Sequence, residues 1–296
     1  MSIFPAKILL ATDGSEDAEL AATTVATLAR VVASEVHVVN VGVLAPALLA
    51  PLDVGPDRVE QEARTILEEQ IKKIEDMGCA VAQSHVRMGD AAKEVVNLAE
   101  EIGVSLVAVG SRGRGGIRGA LMGSVSHSVA RHAHCSVLVV RGKPVVFPAR
   151  ILLATDGSEE ATLAARTMVD LSHRTGSELY LVTVAPEYPY VYDAYYNVGR
   201  TNDAQRSRQE AQEVLDEQAR KFGEAGGTVA KGYIKVGAVD KEIVILAEEL
   251  KADLIVMGSR GLGSMRRALV GSVSDSVVKH AHCPVMVLRD SGERTP

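Results

Sequence analysis

The sequence contains the same segments twice, and this internal repeat is the strongest constraint on how the chain can fold. The recurring segments are 8–15 with 151–158, 110–126 with 258–274, and 132–135 with 280–283. The first segment recurs after 143 residues and the other two after 148, so five residues are inserted in the second half. A repeat of this length has the size of a whole domain. We therefore predict two similar domains, 1–143 and 144–296.

Each half alternates short apolar runs with amphipathic segments, the pattern of strands that alternate with helices. In the first half we predict strands at 7–12, 35–41, 80–87, 105–109 and 137–140, and helices at 16–33, 57–77, 91–102 and 124–132. Ser15 is suited to cap the first helix, and Gly78 and Gly103 to follow the ends of the second and third. Strands that are joined through helices pair in parallel with right-handed crossovers. The sequence thus predicts an α/β fold.

Composition excludes several classes of function. The net charge is −6, which leaves no basic surplus for broad nucleic-acid binding. The three cysteines form no C-x-x-C pair, so a disulfide framework is not expected and a cytoplasmic location is predicted. We find no signal-peptide pattern and no apolar run near the ~20 residues that span a bilayer, so no membrane partner is predicted.

The repeated glycine-rich loop carries the chemistry. Each copy has the spacing G-x-x-G, nine residues, then G-S, after an apolar run and before a helical segment. Backbone N–H groups at a helix start bind anions, and the helix dipole favours negative charge. Serines and arginines near both loops suit phosphate oxygens; they are Arg112, Arg114, Arg118, Ser124 and Ser126, with Arg260, Arg266, Arg267, Ser272 and Ser274. We interpret the loop as a phosphate or nucleotide site; a crossover connection without a ligand is the alternative.

These motifs resemble the ATP-binding branch of the universal stress protein family over nearly the whole chain. The resemblance rests on the loop spacing, on Ile-Leu-Leu-Ala-Thr-Asp-Gly-Ser at the start of each half, and on His-Ala-His-Cys near each end. It implies two tandem Rossmann-like domains of the adenine nucleotide alpha hydrolase type. Each would have a five-stranded parallel sheet of order 3-2-1-4-5 with helices on both faces. The ligand crevice is expected where the order reverses, between Asp13 and Gly110.

The resemblance also implies ligand contacts at matching positions. Asp13 and Asp156 would contact the ribose or adenine of ATP, AMP or ADP, and the backbone of Val41 and Val184 the adenine edge. The implied ribose and phosphate contacts are Gly110, Ser111, Arg112, Gly113, Gly123, Ser124, Val125 and Ser126, and then Gly258, Ser259, Arg260, Gly261, Gly271, Ser272, Val273 and Ser274. In the family the last strands pair across a dimer, so the halves are expected to form an internal pseudo-dimer, and two chains to associate as a homodimer.

Other interpretations stay open at this point. Asp13 also fits an ordinary turn or cap aspartate. His132-Ala-His134-Cys135 suggests zinc, but packing at the helix end is favoured because a closed site needs further ligands, and no metal site is predicted. The loop Tyr188–Tyr196 is either a lid or partner surface, or a loop packed on its own helix.

Loops that lack a P-loop lysine favour binding over catalysis. A slow ATPase or phosphotransferase with Mg²⁺ near Asp13 or Asp156 is the alternative, and a ligand-free interaction protein is a third. We assign no catalytic residue, and the stress and the partner served are not specified by the sequence.

Overall fold

A computed structural model describes residues 6–44, 55–115, 121–142, 149–186, 200–261 and 270–290. The elements of the first half are β1 (Lys7–Ala11), α1 (Glu16–Val32), β2 (Glu35–Gly42), α2 (Pro56–Asp76), β3 (Val81–Met88), α3 (Ala91–Glu101), β4 (Leu106–Gly110), α4 (Ser124–His132) and β5 (Ser136–Val140). Those of the second half are β6 (Arg150–Ala154), α5 (Glu159–Thr175), β7 (Glu178–Pro186), α6 (Arg200–Glu224), β8 (Val229–Gly237), α7 (Val239–Leu250), β9 (Leu254–Gly258), α8 (Ser272–His280) and β10 (Val285–Leu288).

The strands of each half are parallel and have the predicted order. In the first half the order is β3-β2-β1-β4-β5, and in the second the same order appears as β8-β7-β6-β9-β10. Leu10 pairs with Val38 of β2 on one side and with Ala108 of β4 on the other. The strand order therefore reverses between β1 and β4, and a crevice is expected at their carboxyl ends.

The two halves form one continuous sheet instead of two separate sheets. β5 pairs antiparallel with β10, with Leu138 opposite Met286. This pairing joins both halves into a ten-stranded mixed sheet and covers two strand edges that would otherwise expose unpaired backbone groups. The halves of this chain thus meet through their last strands.

The core consists of two apolar layers, one on each face of the sheet. One layer includes Ile8 and Leu10 with α1 and α5, and the other includes Leu9 and Val107 with α3 and α4. Since helices cover both faces, the central strands carry apolar residues at successive positions. This explains how a chain with only 3% aromatic residues fills its core with aliphatic side chains. Among the described residues, no helix has the length and hydropathy of a membrane span.

Local signals placed the helix ends well. Ser15 caps α1, because its hydroxyl accepts a hydrogen bond from the backbone N–H of Ala18. Gly78 and Gly103 follow α2 and α3 with φ of 76° and 64°, a left-handed conformation that glycine adopts at little cost. The predicted domain boundary after residue 143, the loop Tyr188–Tyr196, and Arg118, Arg266 and Arg267 lie outside the described residues.

Candidate functional site

A cavity of about 870 Å³ lies at the carboxyl ends of β1 and β4, where the strand order reverses. Small-molecule sites have volumes of roughly 300–1,000 Å³. The predicted site residues that line it are Asp13, Val41, Gly110, Arg112, Gly113, Gly123, Ser124, Val125 and Ser126. Ser111 is the one predicted residue of the first half that is not part of the lining; it is 2% exposed.

Two glycines of the loop are required by close contacts within the protein. A β-carbon on Gly110 would lie 2.6 Å from the backbone carbon of Asp17, so glycine at this position allows α1 to pack against the end of β4. A β-carbon on Gly113 would overlap Oδ2 of Asp13. That carboxylate oxygen accepts a hydrogen bond of 2.8 Å from the backbone N–H of Arg114. Asp13 therefore holds the glycine loop against the end of β1.

Asp13 also has the local turn role that the sequence left open. Its Oδ1 accepts a hydrogen bond of 3.1 Å from the backbone N–H of Ser15. A carboxylate has about four lone-pair sites, so each of its oxygens can accept a further bond from the cavity side. The turn role and a ligand role for Asp13 are therefore compatible.

Asp17 of α1 anchors the glycine loop, a role that the sequence did not indicate. Its Oδ2 accepts hydrogen bonds from the Ser111 hydroxyl at 2.6 Å and from the backbone N–H and Nε of Arg112 at 3.1 and 3.2 Å. Burial by itself raises the pKa of Asp17, but the bonds from Arg112 and Ser111 outweigh it and hold the pKa below its usual value. The Ser111 and Arg112 side chains, predicted as ligand contacts, thus hold the loop to α1.

The start of α4 is open toward the cavity. Gly123 caps the helix without a side-chain hydrogen bond, and its φ of −77° and ψ of 157° suit any residue. A β-carbon there would have Ser111 O at 3.3 Å as its nearest neighbour. The Ser126 hydroxyl donates to Ser111 O at 2.7 Å. The backbone N–H groups of Ser124 to Ser126 precede the first intrahelical bond, which the N–H of His127 donates to the Gly123 carbonyl.

Val41 lies where the backbone of β2 runs past the end of β1. The last residue of β1, Ala11, pairs with Val39, whose carbonyl accepts from the N–H of Thr12 at 2.9 Å. Backbone groups two residues apart on a strand face the same neighbour. The backbone of Val41 therefore faces the space beyond β1, and Val41 lines the cavity.

The second half repeats this arrangement. Ser259 and Arg260 bond to Glu160, the counterpart of Asp17, with Ser259 Oγ at 2.6 Å from Oε2. A β-carbon on Gly261 would overlap Oδ2 of Asp156. The remaining predicted residues have matching places. Gly258 packs against α5, Val184 lies two residues beyond the last β6 partner, and Gly271 precedes α8 (Ser272, Val273, Ser274) without a side-chain cap.

Two buried arginines join the halves, and the sequence reading missed both. Arg141 follows β5 and donates to the carbonyls of Val278, Lys279 and Ala281 at the end of α8. Arg289 follows β10 and donates to those of Ala130, Ala133 and Cys135 at the end of α4. The C-terminal end of each helix thus contacts an arginine of the other half. The positive charge of that arginine stabilises the negative end of the helix dipole. Each arginine follows the last strand of its half, so a comparison of the repeats reveals the pair.

The two copies differ where α4 and α8 meet. Nε2 of His127 lies 2.8 Å from Oδ1 of Asp275, which is the equivalent position of the second half. Lys279 donates to the other oxygen of Asp275 at 2.7 Å. Lys279 and His280, both from α8, also line the cavity of the first half, and no sequence signal had assigned them there.

The His-Ala-His-Cys segment has separate partners. Nδ1 of His132 bonds to Ser128 O at 2.8 Å, Nε2 of His134 lies 2.9 Å from Oε1 of Glu100, and the Cys135 carbonyl accepts from Arg289. Burial raises the pKa of the Cys135 thiol to about 11. Within the part of the chain that the structure describes, no three His, Cys, Asp or Glu residues are grouped as a metal site would need.

A parallel sheet with helices on both faces and a glycine loop at its switch point defines a Rossmann-like α/β protein, here as a tandem. The model of the universal stress protein family matches residues 6–141 and 149–289. The chain belongs to this family and contains two of its domains.

Two kinds of relatives are similar to this chain, those that match its whole length and those that match about one half of it. A universal stress protein of Mycobacterium tuberculosis is 30% identical over 302 residues, 96% of each chain. One of Methanocaldococcus jannaschii is 34% identical over 146 residues, 47% of this chain and 81% of its own length. The crystal structure of a universal stress protein from Archaeoglobus fulgidus matches with a TM-score of 0.71 and 26% identity, over 97% of this chain and 98% of that chain.

Proposed function

We propose that each half binds one adenine nucleotide, ATP or alternatively AMP or ADP, and that the protein acts as a nucleotide-dependent regulatory module of the stress response. The observation that carries the proposal is the uncapped start of α4, which opens into a cavity that Asp13 and Val41 also line. The free, buried cysteines fit a reducing compartment such as the cytoplasm.

The phosphates are assigned to the start of α4. The N–H groups of Ser124, Val125 and Ser126 lack intrahelical acceptors, and an anion can satisfy them while it interacts with the helix dipole. Gly123 does not need to be glycine for its backbone conformation, which any residue adopts. The absent side chain instead leaves room for a ligand that approaches the backbone closely.

The adenosine is assigned to the other end of the cavity. Val39, Val95 and Val109 provide apolar walls for a planar base. The backbone of Val41, beyond the end of β1, can pair with the adenine edge. The backbone N–H groups of Ser15 and Arg114 already hold the Asp13 carboxylate in place. Its remaining lone pairs can accept a hydrogen bond from a ribose hydroxyl.

Binding is favoured over turnover because several polar side chains of the loop make hydrogen bonds within the protein. Ser111 and Arg112 bond to Asp17, and the hydroxyl of Ser126 donates to Ser111 O. These bonds fix the geometry of the loop and leave backbone N–H groups to hold phosphate. Mg²⁺ would accompany bound ATP as a counterion of the phosphates.

The direct test is mass spectrometry of small molecules that co-purify with the protein, followed by equilibrium dialysis with labelled ATP, ADP and AMP. We expect two equivalents of nucleotide per chain, with ATP recovered intact. Failure of the native protein to retain any adenine nucleotide by either method would refute the proposal. Conversion of bound ATP to ADP would instead support the slow ATPase.

A matched pair of variants tests the assigned phosphate position. Gly123→Val should fold, because the backbone conformation suits any residue and a shift of a few tenths of an ångström relieves the tight contact of a β-carbon with Ser111 O at 3.3 Å. Its side chain would occupy the phosphate space, so the stoichiometry should fall from two to one. Gly223→Val on α6, where a β-carbon meets nothing within 4 Å, is the control and should still bind two.

A further inference from the structure

We propose that the second half supplies a phosphate ligand, Lys279, to the nucleotide site of the first half. This inference rests on the proposed nucleotide binding and goes beyond it, because residues of both halves would then form the first site. Lys279 belongs to the last turn of α8, yet it lines the same cavity as Gly123 and Ser124 of the first half.

The position of Lys279 corresponds to the phosphate end of the cavity. His127 is in the first turns of α4, close to the open N–H groups, and it contacts Asp275 of α8. Asp275 in turn contacts Lys279, so the ammonium is linked to the start of α4 through a single carboxylate. A cation here would complement phosphate oxygens that the helix N-terminus already attracts.

The backbone that carries Lys279 is fixed by the first half. Arg141, which is 7% exposed, donates to the Lys279 carbonyl at 3.1 Å and to the Ala281 carbonyl at 2.8 Å. Since Arg141 directly follows β5, the end of α8 is held beside the glycine loop, whose Ser111 N–H bonds to Val140 O at 2.7 Å. The lysine is therefore positioned by contacts that exist only when the two halves are joined.

The Lys279 ammonium remains available to a ligand. It has three N–H donors, of which the structure assigns one to Asp275, and its side chain is 35% exposed. The neighbouring His280 lines the cavity as well, and its Nδ1 bonds to the Ser276 carbonyl at 2.8 Å. Because a carbonyl can only accept, Nδ1 carries a hydrogen and Nε2 is the ring atom left for the cavity side.

The test isolates the first site with Gly271→Val, the counterpart of Gly123→Val, and measures dissociation constants by calorimetry for ATP, AMP and adenosine. In this background, Lys279→Gln should weaken ATP binding roughly fivefold to tenfold at low salt. This is the loss expected for one charge-assisted contact that is partly screened because the lysine is partly exposed. AMP should lose less and adenosine should be unaffected. The affinity for ATP should also become less dependent on salt.

Two further variants make the result specific. Lys279→Arg retains the cation and should retain most of the affinity, whereas Lys241→Gln removes an exposed lysine of α7 and should change nothing. If the Gly271→Val protein binds no ATP, the proposed function fails and this inference fails with it. If that protein binds ATP and Lys279→Gln binds it equally well with the same salt dependence, only the contribution of the second half is refuted.

Discussion

The arginines that join the halves allow a quantitative prediction. In Arg289→Met, the carbonyls of Ala130, Ala133 and Cys135 lose a charged donor, at 2.5, 2.6 and 2.9 Å in the native protein. A buried acceptor without a partner costs ~1–3 kcal/mol. Burial lowers the pKa of Arg289 to about 10, so relief of that burial offsets part of the loss. Three such acceptors are involved and part of the loss is offset, so we expect a net loss of about 3–5 kcal/mol.

The measurement is urea unfolding followed by far-UV circular dichroism, because the chain has no tryptophan. With an m value of about 2–3 kcal/mol/M, the midpoint should fall by about 1–2.5 M. Arg141→Met should have a similar effect, since Arg141 has the same kind of partners on α8. Arg64→Met is the control, because Arg64 is exposed and pairs with Glu60 on the same helix. If Arg289→Met lowers the midpoint no more than Arg64→Met does, the structural role of the arginine pair is refuted.

Two other groups give predictions. Because the pKa of Asp17 is lowered in the folded protein, its contribution to the free energy of unfolding is fully present above the unfolded pKa near 4 and is lost as the pH falls through the folded pKa. Asp17→Asn should lower the free energy of unfolding by about 2 kcal/mol at pH 7. In denaturation curves this difference from the native protein should shrink below pH 4, and an unchanged difference would contradict the prediction. Burial raises the pKa of the Cys135 thiol to about 11 and that of the Cys283 thiol to about 12. Both thiols should therefore resist a thiol reagent at pH 8 until the protein is unfolded in urea. Rapid labelling of the native protein would contradict this prediction.

Much of the fold could be predicted because its signals are local. The apolar runs of β1 and β4, the cap at Ser15 and the glycines after α2 and α3 depend on neighbours within a few residues. Element ends therefore agree with the structure to within one or two residues. The strand order came from the family resemblance, and the structure confirms it in both halves.

The site could be predicted only in part. The glycine loop and Asp13 were predicted as site residues because both are repeated, and the structure brings them together beside the cavity at the switch point. The roles of Ser111 and Arg112 could not be foreseen, because their partner Asp17 is 94 and 95 residues away in sequence. Side chains that seemed free to bind phosphate are bonded to α1.

By itself, the sequence determined the repeat, the alternation of strands and helices, and the two loops that suit an anion. The family resemblance predicted that the two halves meet through their last strands, and β5 and β10 do pair, in antiparallel orientation. Only the tertiary structure decided that Arg141 and Arg289 each hold a helix of the other half and that Lys279 lines the first cavity. The physical reason is that periodicity and capping follow from nearby residues. Contacts between α8 and the first half depend instead on how the two halves pack together, which no local pattern specifies.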